Sequence, residues 1–268
     1  MSTELSTINP HPRDERIRFV ESSHTYFIDG SKEGYVSTTT LVHNLFEKFD
    51  ADKVIKKMMR SKKWESSPYF GMEPDKIKDS WEENRDSAAK AGTLMHENIE
   101  NFYNKVSHET ESKEFELFSN YLNDHKEYEP YRTEWCIFDE RSKVCGSVDM
   151  VYKDPDNPGF HIIADWKRSK AIKKDNAWQS GSDRFTSHLP DCNFIHYSIQ
   201  LGIYKYMLQK YYDIKISETF IVVLHPSQDN YEKINTKDVD TEVESIMNRR
   251  QNGTYCKTVG LFDVSKIL

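Results

Sequence analysis

Residues 146–170 read GSVDMVYKDPDNPGFHIIADWKRSK, and their reading decides the fold. VCGSVDMVY and FHIIADW have the apolar, β-branched and aromatic content of strands. The KDPDNPG between them is dense in turn formers, so the two strands are expected to be antiparallel neighbours. Strand side chains alternate between faces. Phe160, Ile162, Ala164 and Trp166 therefore share one side, and Ile163, Asp165 and Lys167 the other. In the first strand Val144, Val148, Met150 and Tyr152 are expected on one side, with Ser147 and Asp149 opposite. Each strand then has a core face and a face carrying an acid, and the pairing brings Asp149 and Asp165 together.

Working outward, YRTEWCIFD supplies a third strand before this pair. A helix follows it at NFIHYSIQLGIYKYMLQKYY, then strands at SETFIVVLHP and NYEKIN, and a helical segment near VDTEVESIMNRR. Residues 178–190, WQSGSDRFTSHLP, fit an ordered strand clamp or a loop. Upstream, RIRFVESSHTYFIDGSKEGYVSTT alternates around an Asp-Gly turn and predicts a β-hairpin. Helical spacing runs from Thr40 to about Arg60 and ends in the basic tract KKMMRSKKW. PYFGMEP breaks the chain. Helix resumes through DSAAKAGTLMHENIENFYNKV, with Leu94, Ile99, Phe102 and Val106 as an apolar stripe, and again at SKEFELFSNYLNDH. The expected organisation is a flexible arm over residues 1–15 and a single α/β domain over 16–268. Within it, a hairpin and helical additions (16–127) precede a core (128–268).

Composition bounds the function. With 268 residues, net charge −7 and pI about 5.8, nothing basic overall announces a polyanion, which a local patch would have to meet. The chain shows neither a long apolar run nor a secretory leader, so an intracellular setting, cytoplasm or nucleus, without membrane contact is expected. Cys136, Cys145, Cys192 and Cys256 are widely spaced and read as reduced thiols.

Two adjacent carboxylates repel unless a cation or a shared proton compensates. A hard divalent cation, Mg²⁺ or Mn²⁺, suits oxygen ligands of this kind. Lys167, two residues after Asp165, would set an ammonium beside it to orient water or balance phosphate charge. Alone this means little: with 44 acids and 37 Lys and Arg in 268 residues, chance places about six acid-x-base triplets in such a chain. His96 by itself reads equally as a half-buried helix histidine, and Gln200 and Tyr204 as polar edges of a core helix. Glu134 fits a surface ion pair, and KRSKAIKK a solvated turn or a phosphate grip. HENIE has Glu100 where the zinc-protease pattern needs its second histidine, which excludes that reading.

Taken in order, AAKAGTLMHENIE, GSVDMV, IADWK and YSIQLGIYKYML resemble the core of the PD-(D/E)XK nuclease superfamily, in its RecB-like and lambda-exonuclease-like branch. HTYFIDG and VSTTTLVHNLF are similar to the openings of related nucleases of bacteriophages and large DNA viruses. The resemblance implies a restriction-endonuclease-like core, a central mixed β-sheet flanked by helices. It implies catalytic roles for Asp149, Asp165, Lys167, His96 and Glu134. His96, Asp149, Asp165 and the Trp166 carbonyl would be the metal ligands. It implies substrate contacts for Gln200 and Tyr204, the Q-x-x-x-Y element, and for Arg85 and Ser87; Arg168 and Lys170 follow from the basic turn. The cysteines do not follow the iron-sulfur pattern of the related CRISPR-adaptation nucleases, so no cluster is expected.

The function expected is metal-dependent hydrolysis of DNA, single- or double-stranded, by an exonuclease of replication, recombination or repair, with a partner protein from those processes. The alternatives are a silent nucleic-acid-binding module on the same fold and a nucleotide phosphohydrolase.

Overall fold

The three strands around the aspartates form in a computed structural model of the chain, which describes residues 4–253. In chain order the elements begin with α1 (Leu5–Ile8), β1 (Ile17–Val20), β2 (Thr25–Ile28), β3 (Val36–Ser37), α2 (Thr38–His43), α3 (Ala51–Met59) and α4 (Pro74–Tyr103). They continue with α5 (Lys113–Asp124), β4 (Glu129–Asp139), β5 (Val144–Lys153), β6 (Phe160–Lys167), α6 (Asn193–Tyr211), β7 (Lys215–Val223), β8 (Glu232–Asn235) and α7 (Asp240–Gln251).

Six strands make one mixed sheet. β5 is antiparallel to β4 along one edge and to β6 on the other, β6 runs parallel to β7, and β8 closes the sheet antiparallel to β7. The parallel step from β6 to β7 is crossed by α6, as a parallel connection requires. Helices cover both faces. α2, α6 and α7 pack with Val144, Val148, Val151, Ile163 and Ile221. α4 and α5 pack with Met150, Tyr152, Ile162, Ala164 and Trp166. The expected mixed α/β sheet flanked by helices is therefore what the chain builds.

α6 is apolar nearly all round because it lies between the sheet and α7: Gly202 leaves no room for a Cβ, which would meet Val239 and Val243 at 3.0 Å. Ser112 caps α5 by accepting from the Phe115 N–H, a contact worth about 1 kcal/mol.

Five expectations need correction. The hairpin of β1 and β2 reverses at Glu21–His24, with His24 at φ 47°, while Asp29 and Gly30 turn a separate tight bend closed by Ile28 and Ser31. The Thr40–Arg60 helix is two helices, parted where Asp50 caps α3 through the Lys53 N–H. α4 starts earlier than its stripe showed, with Pro74 in its first turn, and Leu94 and Val106 are exposed while Ile77, Met95, Ile99 and Tyr103 are buried. The stripe followed apolar residues, whereas the buried face follows the sheet.

Residues 1–15 are expected as a loose arm, yet its described part, residues 4–15, docks on the sheet: Asp14 accepts from Arg132 and Trp135, and the Arg13 guanidinium lies 4.0 Å from the Phe138 ring centroid. Finally, Met150 and Tyr152 pack opposite Val144 and Val148, because the alternation of β5 slips beside Asp149. Cys136, Cys145 and Cys192 are free thiols, and Cys256 lies outside the described residues.

Candidate active site

The slip in β5 makes the site. On one edge β5 pairs with β3 only at Val144 and Cys145, and with β6 only from Met150 onward, so residues 146–149 have no strand partner on that side. Across the other edge, the rung that would join Glu134 to Asp149 is missing between Thr133–Met150 and Trp135–Val148. Glu134 sits there at φ 42°, a left-handed backbone that costs a non-glycine residue about 1–3 kcal/mol. Such irregularities re-aim side chains. Here they turn Glu134, Ser147 and Asp149 toward α4.

Asp149 Oδ2 takes the place of the missing ladder partner and accepts the Trp166 N–H at 2.9 Å. His96 reaches in from α4, with Nδ1 3.3 Å from Glu134 Oε1 and 3.5 Å from Asp149 Oδ2, and Nε2 3.1 Å from the Trp166 carbonyl. Ser147 donates to Glu134 Oε2 at 2.9 Å. From the α6 side, Gln200 Nε2 lies 3.5 Å from Asp165 Oδ1 and 3.3 Å from the Tyr204 hydroxyl. Lys167 Nζ lies 2.5 Å from Asp165 Oδ2.

The electrostatics follow from burial. Burial lifts the Asp165 carboxyl to about 6, helped by the Asp149 charge and opposed by Lys167. Asp149 is also raised, by burial above all, with His96 opposing. Burial acts to discharge Lys167, yet the charges of Asp165 and Asp149 outweigh it and hold its ammonium above the ordinary lysine range. His96 behaves alike: burial lowers it, but Asp149 and Glu134 carry it up to about 9. Without a metal, imidazolium and ammonium are thus the cations that balance three acids.

One ligand atom each from His96, Glu134 and Asp149 lies within 4.8 Å of the others. Asp165 Oδ2 is buried without a well-aligned hydrogen bond, its charge met by the Lys167 ammonium. Carboxylates with one imidazole and a backbone carbonyl form the donor set of a hard divalent cation, so the residues fit one.

The structure brings together His96, Glu134, Asp149, Asp165, Trp166, Lys167, Gln200 and Tyr204. It does not gather the remaining expected residues. Arg85 is exposed, pairs with Asp86, and shares the His96 face of α4 about 16 Å along its axis. Ser87, nine residues before His96, is exposed about half a turn round, on the opposite face. Arg168 is bound at 2.7 Å to Glu114 of α5, on the sheet face opposite Asp165. Lys170 is exposed beyond the strand end.

Two neighbours were missed. Ser147 shares the Asp149 side of its strand, and Tyr197, whose ring centroid is 4.8 Å from Lys167 Nζ, lies a turn before Gln200; spacing alone pointed at both. The His96 side opens into a cleft of about 860 Å³ lined by Phe19, Tyr26, Glu97 and Glu100. Burial, reinforced by Glu134 and Glu97, pushes Glu100 up to about 7 there.

Among solved structures the chain is similar to SSO0001, at 15% identity over 82% of this chain and 76% of that one, with a TM-score of 0.34. It is also similar to a candidate exonuclease from Eubacterium rectale, at 14% identity over 85% and 89% of the two chains, with a TM-score of 0.36. No curated protein matches. No helix among the described residues is long and apolar enough to cross a membrane. The family model of the PD-(D/E)XK nucleases matches residues 37–255, from the strand before α2 to beyond α7. That span contains every residue gathered at the β5–β6 gap, and the chain belongs to the PD-(D/E)XK nuclease superfamily.

Proposed function

We propose that this protein is a Mg²⁺- or Mn²⁺-dependent exonuclease that hydrolyses DNA phosphodiester bonds in replication, recombination or repair, from the RecB-like and lambda-exonuclease-like branch. The observation that carries the reading is the burial of Asp149 and Asp165, with the half-buried Lys167 ammonium against Asp165, inside a sheet where the strand pattern calls for valine. Burying each charge costs several kcal/mol that packing does not return, so the cluster is maintained for chemistry.

Asp149, Asp165, Glu134, His96 and the Trp166 carbonyl would hold the cation. When bound it supplies Lewis-acid polarisation of the scissile phosphate and a bound water of lowered pKa. The chain's own groups do the rest. Lys167 keeps its proton, so it acts as a hydrogen-bond donor and fixed positive charge, not as a general base. Gln200 donates toward Asp165 and, with Tyr204 behind it, fixes that carboxylate's orientation. Ser147 does the same for Glu134.

The test is incubation with linear and covalently closed circular DNA in Mg²⁺, Mn²⁺ or EDTA, beside Lys167→Ala and Asp165→Ala. Loss of linear DNA alone, dependent on metal and absent in both variants, is expected. Cutting of circles makes the enzyme an endonuclease. Survival of every DNA with both metals refutes the assignment and brings RNA, mononucleotides or a binding role forward.

A further inference from the structure

After Lys167 the chain leaves β6 and crosses to α6 through residues 168–192, and this crossing carries Trp178 with 93% of its surface exposed. An indole is the largest apolar side chain to leave in water, and the backbone beneath it is firmly held. Trp178 and Gln179 donate their N–H groups to Asn176 Oδ1 at 3.1 and 3.2 Å, and Asn176 Nδ2 donates to the Asp191 carbonyl at 2.7 Å. Farther on, Ser182 N and Thr186 Oγ1 both donate to the Leu45 carbonyl, and Arg249 pairs with Asp183. The ring is therefore presented from an anchored turn.

Its surroundings point to a polyanion with an aromatic face. Lys170, Lys173 and Lys174 are exposed on the same crossing, and among the described residues no carboxylate pairs with their ammonium groups. Of the nearby acids, Asp175 is exposed, while Asp191 is engaged by His196 at 2.8 Å. Trp178, Lys173, Asn176, Asn193 and His196 line a cleft of about 590 Å³. His196, which lines this cleft, precedes Gln200, which lies beside Asp165, by one turn on the same face of α6, about 6 Å along its axis.

We infer that Trp178 is a stacking platform for an unpaired nucleobase, flanked by lysines that hold its phosphates, so that the site takes a single-stranded flank of its substrate. This rests on the nuclease reading for the identity of the polymer. Away from its ends a duplex keeps its base faces covered, so along a strand an unpaired base is what offers one to an indole, and such stacking tolerates any sequence.

The test measures binding without cleavage. Fluorescence anisotropy in EDTA compares labelled oligo-dT with an abasic oligonucleotide of equal length and charge, for wild type, Trp178→Phe and Trp178→Ala. Trp178→Ala is expected to bind oligo-dT about tenfold more weakly and the abasic strand as wild type does, with Trp178→Phe between. Unchanged melting temperatures confirm that the variants fold. Binding of oligo-dT by Trp178→Ala within about twofold of wild type, or an equal loss on the abasic strand, overturns the platform. DNA digestion is scored separately: a protein that digests DNA without a Trp178 effect loses only this inference, and one that stacks bases but digests nothing loses only the nuclease reading.

Discussion

Gly146 opens the GSVD run, and a Cβ built on it would meet Tyr204 Cε1 at 2.8 Å, the Tyr204 hydroxyl at 3.0 Å and Thr38 Oγ1 at 3.1 Å. Gly146→Ala therefore forces the ring back by about 0.6 Å to reach ordinary contact at 3.4 Å. Tyr204 is only 3% exposed and has nowhere to go without disturbing α6. Overpacking of this kind costs about 2 kcal/mol, a fall in Tm of about 4–8 °C for a chain of this size. The displaced hydroxyl also carries Gln200, whose amide already stands 3.5 Å from Asp165 Oδ1, so cleavage is expected to fall beyond what lost stability explains. The assay is a double-mutant cycle with Tyr204→Ala, read by denaturant unfolding. If Gly146→Ala costs as much without the Tyr204 ring as with it, the close approach is not the cause and the reasoning fails.

Three further outcomes are expected. Saturating Mg²⁺ or Mn²⁺, at about a hundred times its dissociation constant, should add about 2.7 kcal/mol and raise Tm, an increment that Asp149→Asn removes; identical melting in EDTA refutes the metal site. In EDTA, His96 is charged in the folded chain up to about pH 9 but only to about 6.5 when free. The stability it contributes is full below pH 6.5 and lost as pH rises through 9, at most about 3 kcal/mol and less because its ring is 30% exposed. Melting between pH 6 and 9.5, with His96→Gln flattening the slope, checks this. The Asp165 contribution, raised from 3.8 to about 6, is already lost below that window. Arg168→Ala breaks the pair with Glu114 and should lower Tm while leaving the salt dependence of DNA binding unchanged; a reduced salt slope would return Arg168 to the phosphate grip.

How much of this was legible follows from what kind of information each residue carries. Period-two alternation placed Asp165 and Lys167 beside Ile163 and opposite Trp166, as packed, because β6 is regular throughout. The same rule failed past Asp149, since a slip depends on the partner strand, and the left-handed Glu134 that causes it has no local signature. The family resemblance, not helix spacing, pointed to His96, Gln200 and Tyr204, and spacing misjudged Leu94 and Val106, because an apolar residue shows hydrophobicity and not which way the sheet lies. Asp14 and Arg132, distant in sequence and joined at 2.7 Å, are invisible to any window of local pattern.

The two aspartates and the lysine thus have a common explanation in the edge of β5. A strand that changes neighbours between β3 and β6 leaves a stretch of backbone whose hydrogen bonds must go elsewhere. Thr38 Oγ1 donates to the Cys145 carbonyl at one end of that stretch, and Asp149 accepts the Trp166 N–H at the other. Asp149 is therefore structural and chemical at once: it replaces a rung of the sheet and offers its charge to the gap it spans. Valine at 149 would satisfy the pattern and orphan the Trp166 N–H, which costs about 1–3 kcal/mol. Asparagine keeps an acceptor there but removes the charge. Asp149→Asn should consequently fold far better than Asp149→Val while both lose metal-induced stabilisation, and equal melting of the two in EDTA would separate the strand seam from the site after all.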